Sequence, residues 1–250
     1  MSQIGIIVAL RAEARCITQR RLFLGQTAAL DENLLIRISG MGNAAARHAA
    51  TALCHQKKIA GLISFGVAGA LDDDLQAGDL ILPETVVLAD RSYPTDNAWC
   101  ARIRRCLPNH INVVRGTLAT SDAVLATGTA KRTFATRSGG CAVDMESGVI
   151  AAVAAEEGVP FLAIRAISDP VLFSPPAALM DALHPDGSVR PLSLLALLLK
   201  RSFTLNELLR LAPGMRAACN TLKQVVQATR HELGRQVSVS AKADAANFLA

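Results

Sequence analysis

Between residues 141 and 170 the chain reads CAVDMESGVIAAVAAEEGVPFLAIRAISDP, and three carboxylates in it could do chemistry: Asp144, Glu146 and Asp169. Carboxyl groups move protons to and from a reacting bond when their surroundings set their pKa values apart. The stretch also suggests how they are positioned. Residues 141–143 form a short apolar strand, a helix starts near Met145 and Glu146, Gly158 stops it, and 160–167 is a second apolar strand. As a βαβ unit, this order sets Asp144 and Glu146 just past one strand end and Asp169 just past the next. Ligands of open α/β sheets bind at that carboxyl edge. Two of these acids also have a plain structural use, Glu146 in a first helical turn and Asp169-Pro170 as a turn. The spacing alone leaves both readings open.

The rest of the chain supplies the same edge with more residues. Residues 4–10 are a continuous apolar run, as in a strand buried on both faces. A helix over 11–21 follows, with Glu13 in its first turn at that strand's carboxyl end. Strands over 34–38 and 59–65 run into the glycine turns Gly40-Met41-Gly42 and Gly66-Val67-Ala68-Gly69, where backbone can approach a ligand closely. The run 80–88 is β-rich but interrupted by Pro83, and 113–119 is a strand ending in Thr120-Ser121-Asp122. Helices are expected over 44–55, 99–107, from Thr127 or Thr129 to 137, and over 192–201, 204–211 and 214–231. The expected fold is α/β, a single three-layer αβα domain with a central mixed, largely parallel twisted sheet. That domain would span 1–235, with a helical cover over 190–232 and a tail at 236–250.

Composition narrows the function. Of the 250 residues 51% are hydrophobic and 19% charged, which suits a large core and excludes disorder. The net charge is only +5, and one Trp and one Tyr are too few for base-stacking platforms, so no nucleic-acid partner is expected. Six cysteines without a C-x-x-C pair and five histidines without ligand spacing predict no metal. The apolar run 194–199 is too short to cross a bilayer, and no targeting segment is read before residue 4. A cytoplasmic protein is expected, with peripheral contact to the inner membrane through the basic helices over 201–230 left open.

Several blocks resemble the nucleoside phosphorylase and nucleosidase superfamily, in the branch of purine nucleoside phosphorylases and methylthioadenosine/S-adenosylhomocysteine nucleosidases. They are IGIIVALRAEA at 4–14, SGMGNAAA at 39–46, FGVAGAL at 65–71, AGDLILP at 77–83, RGTLATSDA at 115–123, and VDMESGVIA with VPFLAIRAISD across 143–169. Within that superfamily the chain looks most similar to hopanoid-associated phosphorylases, which act on adenosylhopane. The resemblance implies cleavage of a purine from ribose through an oxocarbenium-like sugar. Asp169 would serve the departing base, with Ser168 orienting it. Glu146 would grip the ribose hydroxyls and Met145 would lie under the sugar. Gly66, Val67, Ala68, Ser121, Asp122, Ala123 and Val124 would line the substrate pocket. Glu13 would activate a water, as in the nucleosidases. No cofactor is implied, phosphate being the one co-substrate to consider, and the family implies at least a homodimer.

The departures point away from phosphate. The Gly-Asp-Pro-x-Arg loop of the phosphorylases is absent, and Phe65 and Val67 replace the usual Arg and Ser. Arg11, Arg115 and Arg165, or an Arg from a neighbouring subunit, remain as anion-site candidates, so release of adenine by phosphorolysis or by hydrolysis stays open. A leucine-rich segment after Asp169, including Leu172 and Phe173, suits a bulky apolar 5′ substituent, and equally an ordinary core or interface. The expected substrate is an adenine nucleoside, lipid-linked in the adenosylhopane reading. Methylthioadenosine or S-adenosylhomocysteine is the alternative substrate, and a non-catalytic nucleoside binder is the alternative class.

Overall fold

The computed structural model describes residues 3–56, 58–173, 184–188 and 205–234. Eleven strands make one mixed sheet, and six helices lie among the described residues. β1 (Gln3–Val8) sits between β3 (Leu34–Ile38) and β4 (Ile59–Ala70), parallel to both, and β2 (Thr27–Ala29) closes that edge antiparallel to β3. β4 is the hub. At 12 residues it is long enough to pair β1 along one part, β10 (Ala142–Asp144) at its last residues, and β11 (Phe161–Asp169) through most of its length. One branch continues from β10 through β9 (Thr117–Thr120) to β6 (Thr85–Leu88) and β7 (Arg91–Pro94); the other runs from β11 to β5 (Leu80–Ile81) and β8 (Val113–Val114).

Apolar side chains alternate between two cores, one on each face of the sheet. Ile4, Ile6, Val8, Ile36, Ile63 and Ile164 pack under α1 (Arg11–Ile17), α3 (Asn97–Cys106) and α6 (Leu205–Leu233). Ile7, Leu35, Leu62 and Ala163 face the other way, under α2 (Asn43–Gln56) and α5 (Ser147–Glu156). This is the three-layer arrangement expected, because strands buried on both faces need helices on both. α4 (Gly128–Ser138) is capped by Thr127, whose hydroxyl accepts the Ala130 amide at 3.1 Å.

Several expectations change. β10 runs antiparallel to the end of β4 whereas β11 runs parallel to β4, so residues 141–170 are not a parallel βαβ unit. The glycine block 66–70 is strand, not loop, and Asp169 is the last residue of β11 rather than one beyond it. Pro83 splits the 80–88 run into β5 and β6, since proline cannot donate to a ladder. The two helices expected over 204–211 and 214–231 are one, α6, which continues through Pro213. The helix expected over 192–201, most of the leucine-rich segment and the tail 236–250 lie outside the described residues.

Candidate active site

Glu13 lies in the first turn of α1 and is 1% exposed. Its Oε2 accepts the amides of Ala9 and Leu10 at 2.9 and 2.8 Å, so it caps its own helix, and its Oε1 accepts the amide of Val67 at 2.9 Å. These three N–H groups form an anion cradle, and the chain's own carboxylate fills it. Burial pushes the Glu13 pKa up, against the pull of Arg165 and the three amides. Only glycine fits at position 66, because a Cβ there would overlap both the Glu13 carboxylate and the Arg165 guanidinium.

Arg165, in the middle of β11, is the buried hub of an acidic cluster. Its Nη2 lies 2.8 Å from Asp144 Oδ2 and 4.0 Å from Glu146 Oε2, and its Nη1 lies 3.9 Å from Glu13 Oε1. It also donates to Ser64 Oγ at 2.7 Å and to Ser147 Oγ at 3.1 Å. Burial alone would pull its pKa down, but Asp144, Glu13 and Glu146 together push it up. Asp144 is fully engaged, accepting from Arg165, from Thr120 Oγ1 at 2.8 Å and from the Ser147 amide at 3.1 Å. It is a structural support. Glu146 precedes α5 and accepts the Gly42 amide at 2.8 Å. Burial, Asp144 and Glu13 outweigh Arg165 and that amide, raising its pKa to about 7.

Asp169 stands apart from this cluster. Its backbone is opposite Gly69 on β4, whereas Arg165 is opposite Gly66. Three residues of β4, about 10 Å, separate the two register positions, the fourth residue of β11 being taken up by a register shift between Ile167 and Asp169. Its Oδ1 accepts Ser168 Oγ at 2.6 Å and its Oδ2 contacts Lys131 Nζ at 2.5 Å. Lys131, on α4, is 1% exposed and also donates to the carbonyls of Pro170 at 2.9 Å and Asp169 at 3.3 Å.

The remaining expected residues surround these groups. Met145 is half-buried beside Glu146, and Val67 and Ala68 line the same strand as Gly66. Ser121 is buried, bonding the Asp144 carbonyl through its amide at 2.8 Å and the Ala123 carbonyl through its hydroxyl at 2.8 Å. Asp122 and Ala123 are exposed and Val124 is half-buried, with Asp122 accepting from the Asn43 side chain.

Each of the three arginines put forward for an anion is paired with carboxylates of the chain. Arg165 serves the acids. Arg11 pairs with Asp186 at 2.7 Å, tying the segment 184–188 across the end of β1, and Arg115 pairs with Glu84 at 3.0 Å ahead of β9. Two cavities of ≈450 and ≈480 Å³ lie elsewhere, and none of the acids described above lines either one. No cluster that could hold a metal occurs among the described residues.

Sequence reasoning missed Lys131, Ser64 and Ser147, and it misjudged Arg165. A signal existed for Arg165: a charge inside the apolar run of β11 must be buried and therefore paired. Lys131 gave no comparable sign, since it lies among basic residues on a helix that reads as solvated.

Comparison with known proteins extends the picture. A family model described as "Phosphorylase superfamily" matches residues 3–182. A 5′-methylthioadenosine/S-adenosylhomocysteine nucleosidase of Mycobacterium tuberculosis is 26% identical over 176 residues, 54% of this chain and 69% of the relative. Among solved structures, the nucleosidase of the same description from Colwellia psychrerythraea, in complex with adenine, aligns with a TM-score of 0.70 at 18% identity, covering 95% of this chain and 98% of the other. Futalosine hydrolase of Helicobacter pylori aligns with a TM-score of 0.64 at 20% identity, covering 90% and 97%.

Proposed function

The chain belongs to the phosphorylase superfamily, and on that premise we propose that it cleaves the N-glycosidic bond of an adenine nucleoside with water as the nucleophile. The observation that carries this reading is the Glu13 cradle. Amides of Ala9, Leu10 and Val67 that would otherwise suit a phosphate hold a carboxylate instead. A second anion there would meet repulsion, whereas Oε1, with one amide bond, keeps a lone pair for a water proton.

The steps follow from the charges. Glu13, Asp144 and Glu146 outnumber the one guanidinium among them, so the ribose side of the site can support a developing sugar cation. Glu146 accepts the ribose hydroxyls in its ionised form. Asp169, oriented by Ser168, serves the purine as the C–N bond breaks, and Met145, Val67, Ala68, Ser121, Asp122, Ala123 and Val124 frame the pocket. Glu13 then takes a proton from the attacking water.

The finer substrate assignment is an apolar 5′ group, with adenosylhopane as the candidate. Its support is the resemblance of the blocks above and Leu172, which is 79% exposed just beyond Asp169. The names of the relatives favour the small thioethers methylthioadenosine and S-adenosylhomocysteine as the second reading. The test is incubation with adenosylhopane, a 5′-alkyl adenosine and each thioether, with and without phosphate, followed by identification of both products. Free sugar, unchanged by phosphate, is expected. A sugar 1-phosphate overturns the role of water, and absence of adenine from all of these substrates overturns the reading as a whole.

A further inference from the structure

Asp169 accepts in both of its side-chain contacts, from Ser168 Oγ at 2.6 Å and from Lys131 Nζ at 2.5 Å. A leaving purine needs a proton, and a charged donor, the Lys131 ammonium, directly contacts that carboxylate. Lys131 is 1% exposed, and its donors go to Asp169 and to main-chain carbonyls of the same segment, those of Asp169, Pro170 and Phe173. A buried ammonium gives up its hydration, a cost that a purely structural site would more simply avoid with an apolar residue. Lysine, unlike arginine, can give up a proton inside a protein.

We propose that Lys131 is a positioning residue that holds the Asp169 carboxylate at the base and supplies the proton that Asp169 delivers. The inference rests on the nucleosidase reading above. One Nζ–H bond breaks and an Asp169 O–H bond forms; the carboxyl gives that proton to a purine ring nitrogen while the C–N electron pair leaves with the base. Lys131 is left as a neutral amine and regains its proton from water once the adenine departs. The proton released by the attacking water goes to Glu13, which returns it to solvent as Lys131 takes one up, so protons and charge balance over the cycle.

The test compares Lys131→Arg and Lys131→Met on two substrates: an adenine nucleoside, and 4-nitrophenyl β-D-riboside, whose leaving group departs without a proton. Relative to the unaltered enzyme, kcat/KM for the adenine nucleoside should fall about 100-fold or more in both variants while the nitrophenyl riboside stays within about threefold. Lys131→Met leaves Asp169 without its cation and can fail to fold; Lys131→Arg keeps the charge and lacks a readily transferred proton, and its intact rate on the nitrophenyl riboside shows that the bulkier side chain leaves the rest of the site in place. Normal activity of the Lys131→Arg enzyme on the adenine nucleoside overturns the proposal, and so does an equal loss on both substrates, which would mark a structural role. If the unaltered enzyme cleaves no nucleoside, the underlying reading fails; if it does and Lys131→Arg matches it, only this inference fails.

Discussion

The site contains two charge arrangements, one with an excess of acid and one in balance. Around Arg165, three buried carboxylates share one guanidinium, leaving an excess of acid and a Glu146 pKa of about 7. About 10 Å further along the same strand pair, Asp169 and Lys131 match one to one. The first arrangement suits a group becoming positive and the second a group becoming negative. A glycosidic bond breaking between them would find each of its charged fragments stabilised in advance, which is how preorganised sites lower a barrier. Arg165 and Asp169 both lie on β11, whose pairing register with β4 fixes their separation.

Perturbing the acid-rich side should have the largest effects. Glu13→Gln keeps the size of the side chain but sets an NH2 against one of the amides and removes the proposed base, and kcat should drop by roughly 10²–10⁴-fold, on good and poor leaving groups alike. Steady-state rates on both substrates check this; a loss confined to the adenine nucleoside would assign Glu13 to the base side instead.

The same excess of acid should appear in the folding equilibrium. A carboxyl whose folded pKa is about 7 against an ordinary 4.5 binds more protons folded than unfolded between those values. Stability should therefore decline as pH rises from about 4.5 to 7, by on the order of 3 kcal/mol from this group, and Glu146→Gln should flatten that decline. Denaturant unfolding at a series of pH values reads it. In the proposed mechanism the sign reverses for kinetics, because the ionised form of Glu146 would be the one to accept the ribose hydroxyls. The kcat/KM should climb through pH 7 in the unaltered enzyme and lose that limb in the Gln variant.

Gly66→Ala tests how closely β4 must approach the cluster. The added methyl group overlaps Glu13 and Arg165, so it should cost about 1–3 kcal/mol and displace the base, measured as a lower midpoint of unfolding together with lost activity. The smallest effect belongs to Arg115→Gln. That pair with Glu84 is half-exposed and away from the acids, so stability should change by less than about 1 kcal/mol and turnover should not respond to phosphate any differently.

How much of this was legible beforehand depends on what each residue follows. Glu13, Glu146 and Asp169 stand at the ends of apolar runs, and a run of buried strand residues ending in an acid is visible in any reading of hydropathy. β2 and β7 were not visible, because three and four residues of TAA and RSYP carry no apolar period and exist through pairing to β3 and β6. Pro213-Gly214 reads as a break, yet α6 continues, held to the sheet by Ala218, Leu222 and Val225. Gly214 is needed there, because a Cβ would overlap the Ser168 carbonyl. Lys131 was illegible for a related reason: its burial comes from the segment after β11 folding over α4, a contact that no local pattern encodes.

The most direct measurement takes Glu146→Gln and Asp169→Asn through the adenine nucleoside and 4-nitrophenyl β-D-riboside. Two opposed charge arrangements predict that Glu146→Gln slows both substrates alike, since each passes through the same sugar cation, while Asp169→Asn slows only the adenine nucleoside. Equal losses for Asp169→Asn on both substrates would contradict the account, because Asp169 would then have no particular relation to the base.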